Sequence, residues 1–226
     1  MSQNKKIEIA CFNLESALIA QNAGADRVEL CADMLVGGTT PTIEIIQQAR
    51  EHLTINLYVM IRPRGGNFVY SEAEFEQMKS EIETIKKLRV NGFVFGILNE
   101  DKTINIEQNK ALVEFAKPFP CTFHRAFDAV LNVEKALEDV ISCGFSTILT
   151  SGTFPNVMEG KEVLKQLVNQ ANNRIKIMPG GGLRSINISA LNEMVNANWY
   201  HSSAITDGSE IANPEEIIQL KKKLQS

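Results

Sequence analysis

Eight short runs of β-branched and aromatic residues alternate with longer stretches whose apolar residues recur every three to four positions, and no other feature restricts the fold as strongly. The runs fall at residues 7–12, 27–31, 56–61, 92–96, 121–124, 147–150, 175–179 and 199–202. A period of two marks a strand and a period of 3.6 an amphipathic helix, so the chain reads as repeated βα units feeding a parallel sheet. Local signals agree. Thr40 and Pro41 suit an N-cap and a first helical position, Ser71 and Glu74 form a capping box, Gly144 ends the helix that opens near Asn132, and Asn213 and Pro214 open the last helix. Eight such units within 226 residues predict an α/β fold, a single-domain (β/α)8 TIM barrel of near-minimal size covering residues 1–226. A doubly wound open sheet is the alternative, and it would need fewer strands or an interrupted strand order.

Charge narrows the partners. A formal net charge of -4 and the lack of a basic stripe argue against nucleic acid. The first apolar run is too short for a signal peptide or membrane span and contains Glu8, so a cytoplasmic protein with no membrane partner is expected. The cysteines at 11, 31, 121 and 143 are far apart with no C-x-x-C pair. They read as buried free thiols rather than as disulfides or a structural zinc site.

In a barrel of this type the chemistry gathers where the strands end, so the residues there can be read as one surface. Glu8 and Ala10 share one face of the first run, and Glu29 and Cys31 share one face of the second. Later strand ends add Arg62 and Arg64, then His124, Arg125 and Asp128, then Ser151, then Gly181 and Gly182, and finally His201 and Ser202. Carboxylates inside apolar strands require cationic neighbours, for which Arg62 and Arg125 are the expected partners. Glu8, Glu29, His124 and Asp128 are the candidate acid–base residues. Arg62, Arg64, Arg125, Ser151, Gly181, Gly182, His201 and Ser202 are candidates for holding a small anionic or phosphorylated molecule. Helix N–H groups exposed from about Ser185 would contribute to that corner. Three bland readings stand beside these: an ion-pair ring closing the mouth, a glycine triplet making only a tight turn, and histidines tied to carboxylates for structure.

The runs Glu29-Leu30-Cys31, Gly37-Gly38-Thr39-Thr40-Pro41, Met60-Ile61-Arg62-Pro63-Arg64-Gly65-Gly66, Thr122-Phe123-His124-Arg125-Ala126-Phe127-Asp128, Ile148-Leu149-Thr150-Ser151-Gly152 and Met178-Pro179-Gly180-Gly181-Gly182 occur in order. Together they resemble the CutC family, associated with copper homeostasis. The resemblance implies a cytoplasmic (β/α)8 barrel, often a homo-oligomer, with a proposed role in binding Cu(I), for which Cys31 is the metal candidate. Family members often carry cysteine where this chain has Ala10, and tend to glycine where it has Lys102 and Thr153. Cu(I) prefers soft thiolates, and Cys11 lies on the opposite strand face from Ala10.

Overall fold

The computed structural model describes residues 5–225. It is a (β/α)8 barrel. The strands are β1 (Lys6–Cys11), β2 (Arg27–Leu30), β3 (Asn56–Met60), β4 (Gly92–Phe95), β5 (Cys121–Phe123), β6 (Thr147–Thr150), β7 (Lys176–Pro179) and β8 (Trp199–Ser202). The helices that follow them are α1 (Leu14–Asn22), α2 (Ile43–His52), α3 (Glu72–Lys86), α4 (Ile106–Ala116), α5 (Val133–Cys143), α6 (Lys161–Ala171), α7 (Ile188–Val195) and α8 (Pro214–Gln225). All strand pairs are parallel, running β7-β6-β5-β4-β3-β2-β1-β8, and a bridge between Gly180 and His201 links the two ends of the series. No helix among the described residues is long and apolar enough to cross a membrane.

Strand alternation divides the chain into two cores. Outward residues such as Ile7, Ile9, Cys11, Val28, Leu30, Leu57 and Val59 are buried beneath the helices. Inside the barrel, Cys31, Tyr58, Met60 and Val94 form a separate, smaller cluster. Burying apolar side chains on both faces of the sheet gives the fold its main driving force, at roughly 25 cal/mol per Å2.

Five strands stop one residue short of their apolar runs. Phe12, Cys31, Ile61, Gly96 and His124 lie just past the ladder, where the chain turns into the mouth loops. Helix α2 is capped by Thr42 rather than opened by Thr40 and Pro41. Thr40 is otherwise engaged, accepting the Arg62 N–H at 2.8 Å and donating its hydroxyl to Glu81 at 2.8 Å. The expected start near Ser185 moves to Ile188, because the Ser185 N–H and hydroxyl are both given to Glu216 at the head of α8. The Ser71 and Glu74 capping box, the Gly144 stop and the Asn213 opening occur as read. Lys102 and Thr153 stand at φ 63° and 66°, the left-handed conformation that glycine adopts most cheaply.

Candidate functional site at the barrel mouth

The parallel register sets the chemistry of the interior. Glu8 on β1 lies beside Arg27 of β2 on one side and His201 of β8 on the other. Accordingly the fully buried Glu8 forms an ion pair with Arg27 and a 2.8 Å hydrogen bond with His201 Nδ1. The Arg27 guanidinium is packed between the rings of Tyr58 and Trp199, at 4.0 and 4.2 Å. Burial works to raise the Glu8 carboxyl, but Arg27 and His201 outweigh it and hold the group below its usual range.

Above this floor His201 turns its other nitrogen toward Glu29, with Nε2 to Oε2 at 3.7 Å. Glu29 is 3% exposed, and its Oε1 has no hydrogen-bond partner. Burial pushes the Glu29 carboxyl up to about 7, with the Glu8 charge adding to the rise and His201 opposing it. Burial pulls the His201 imidazole down, but Glu29 and Glu8 overcome it and the net direction is upward. A buried carboxyl and a buried imidazole thus titrate as a coupled pair, each raised by its surroundings.

His124 behaves oppositely. Burial, aided by the Arg62 charge, drives it down to about 3, so it is neutral. Its Nδ1 accepts the Ala126 N–H at 3.3 Å, which leaves the proton on Nε2, a buried donor with no partner. Burial and the Glu29 charge both hold the Cys31 thiol well above its ordinary value, so it is protonated at neutral pH.

These groups open onto a cavity of about 460 Å3 at the carboxyl ends of the strands, lined among others by Glu29, Cys31, Met60, Arg62, His124 and Arg184. Arg125, Gly181, Gly182, His201 and Ser202 also border it. Gly181, at φ 111°, lets the backbone pass against Arg125, whose guanidinium carbon lies 3.1 Å from where a Cβ would sit. Glu8 lies beneath the cavity rather than in its wall.

Arg64, Asp128 and Ser151 are elsewhere. Arg64 pairs with Glu74 and donates to loop carbonyls. Asp128 accepts from the Thr150 and Ser151 hydroxyls, from the Ser151 and Thr153 N–H groups and from Arg125, so its lone pairs are spent on the loop after β6. The expected pairing of Glu8 and Glu29 with Arg62 and Arg125 does not form. Arg27 takes that role for Glu8, Arg125 pairs with Asp128 at 2.7 Å, and Arg62 donates to the carbonyls of Val36, Gly38 and Gly66. Sequence reasoning missed Arg27, Met60 and Arg184. The first two lie two residues before Glu29 and Arg62, on the same strand faces, so the period of two could have found them. Arg184 carried no signal beyond following the glycine triplet.

A divalent metal is one further use of the floor, since donor atoms of Glu8, Glu29 and His201 lie within 4.8 Å of one another. Arg27 already supplies a positive charge there, which works against a second cation. Soft donors lie higher up. Cys31 Sγ and the Met60 methyl both approach Gly38, at 3.3 and 3.6 Å from its notional Cβ position, while Cys11 is buried on the helix side.

Comparison with known proteins agrees with this architecture. Residues 5–206 match the CutC family. A mouse copper homeostasis protein cutC homolog is 43% identical over 88% of this chain and 73% of its own length. A CutC family protein of Vibrio campbellii is 44% identical over 90% of this chain and 83% of its own length. The crystal structure of the CutC copper homeostasis protein from Streptococcus agalactiae superposes with a TM-score of 0.85 at 34% identity, covering 89% of this chain and all of that one. Because these likenesses run through the strands and the mouth loops alike, the chain belongs to the CutC family.

Proposed function

We propose that the barrel mouth performs acid–base chemistry on a small anionic molecule. The observation that carries this reading is Glu29, a buried carboxyl on the cavity wall beside His201 whose Oε1 has no hydrogen-bond partner; its burial raises the pKa to about 7. A base with that value is half available at neutral pH and still strong enough to take a proton, which is what general base catalysis needs. In this scheme the Glu29 carboxylate takes a proton from the ligand and becomes neutral, the negative charge passes to the ligand, and His201, linked to Glu8, favours the carboxylate before the transfer. Neutral His124 offers its Nε2–H to the oxygen on which negative charge develops. Acid–base assistance of this kind is worth about 10²–10⁴ in rate.

A test is exchange of carbon-bound hydrogen with solvent deuterium, followed by proton NMR, for small carbonyl compounds bearing a carboxylate or phosphate. The wild-type protein should catalyse exchange, Glu29→Gln should lose at least 10²-fold, and His124→Ala should lose at least tenfold. Exchange that is equally fast in Glu29→Gln would overturn the reading.

Copper handling is the second reading, favoured by the juxtaposition of the Cys31 thiol and the Met60 thioether and by the names of the relatives. Both sulfurs suit Cu(I) as cargo. Because the thiol is held protonated, affinity should rise with pH. Competition against a strong Cu(I) chelator should show binding that is lost in both Cys31→Ser and Met60→Leu. Binding unchanged in both variants removes copper from this mouth.

A further inference from the structure

We infer that the ligand of this mouth carries two anionic groups, one held by Arg62 and the other by Arg184. This rests on the proposed anion site and names the class of molecule that fills it.

Three arginines line the cavity, and their partners differ. Arg125 has its counter-charge in Asp128. Arg62 is 4% exposed; its guanidinium lies over the Phe68 ring at 4.8 Å and donates to three backbone carbonyls, at 2.8 to 3.0 Å, while its Nε has no hydrogen-bond partner. Arg184 is fixed by the carbonyls of Leu183 and Ile205 and by the Ser202 hydroxyl. Among the described residues, no carboxylate lies within ion-pair distance of either Arg62 or Arg184. Carbonyls orient a guanidinium without cancelling its charge, and for Arg62, buried without a counter-ion, that is costly, while half-buried Arg184 keeps part of its hydration. Glu29 is the one acid in the wall, and with its carboxyl raised to about 7 it does not supply two full negative charges.

Arg62 is anchored to the loops after β2 and β3, and Arg184 to those after β7 and β8, so the two guanidinium groups border the cavity from different sides. Each guanidinium lacks a counter-charge of its own, which a single carboxylate cannot supply to both. A short chain with an anion at each end can, and its middle then meets Glu29, His201 and His124, which also line the cavity. The volume of about 460 Å3 suits such a molecule. The class is therefore a small dicarboxylate or phosphorylated carboxylic acid with a hydroxyl or carbonyl between its ends. Bidentate guanidinium contacts at each end would fix its direction and register.

Calorimetry at low salt tests this with 3-phosphoglycerate, malonate and succinate as two-ended probes, and glycerol 3-phosphate, glycerate and propionate as one-ended probes. At least one two-ended probe should bind at least 100-fold more tightly than every one-ended probe. Arg62→Gln and Arg184→Gln should each reduce that advantage at least tenfold. Arg62→Lys, which retains the charge without the fork, should keep part of it, and circular dichroism on each variant shows that the fold is intact. One-ended probes binding as tightly as two-ended ones would overturn the two-ended ligand and leave the anion site standing. Failure of every probe to bind would remove both.

Discussion

Replacing Glu29 by glutamine should stabilise the protein at pH 8, by on the order of 3 kcal/mol, and by less than about 1 kcal/mol at pH 5. In the folded chain burial raises this carboxyl from 4.5 to about 7. Between those values the folded state keeps a proton that the unfolded state has released. Stability therefore falls as pH rises through this window, and the whole cost is present above it. At 1.36 kcal/mol per pH unit the difference reaches the figure given. The raised His201 works in the same direction, adding stability at low pH that is lost as the imidazole deprotonates. Glutamine fills the same space without a charge, so the variant should show a much flatter profile. Urea unfolding of both proteins at pH 5, 6, 7 and 8 measures this. A Glu29→Gln difference that does not change with pH would contradict the assigned titration. Such a gain would also mark Glu29 as a residue kept for function at the expense of stability.

Arg27→Ala should cost about 3–5 kcal/mol and lower the melting temperature by roughly 6–20 °C, because it leaves the fully buried Glu8 without its guanidinium. It also empties the space between Tyr58 and Trp199. Combining Arg27→Met with Glu8→Gln should recover much of the loss, since replacing a buried ion pair as a unit is far less harmful than breaking it. Scanning calorimetry on the single and double variants reads both values. A loss below about 1 kcal/mol for Arg27→Ala would mean that Glu8 finds its stability elsewhere.

The barrel was legible because eight strand runs and their helices kept their periods throughout. The strand ends also named much of the mouth: Glu29, Cys31, Arg62, His124, Arg125 and His201 all border the cavity. What the sequence hid was pairing across strands. Arg27 becomes the partner of Glu8 only once the register places them side by side, and no linear spacing between residues 8 and 27 reports that alignment. Asp128 looked like an acid of the site, yet it is spent on the loop after β6, because a carboxylate near several free N–H groups is captured by them. Arg64 turned outward for a similar reason, with Glu74 of the capping box waiting ten residues on. The two imidazoles could not be told apart from sequence, since neighbours alone make one neutral and the other readily charged.

Glu29 should titrate near neutrality beside the ligand cavity. Isotope-edited infrared difference spectra of protein with labelled glutamate, recorded against Glu29→Gln from pH 4 to pH 9, observe that carboxyl directly. A protonated carboxyl band should disappear with a midpoint at about 7 and be absent from the variant. A midpoint near 4.5 would contradict this, because Glu29 would then be an ordinary carboxylate and the mouth would lack its base.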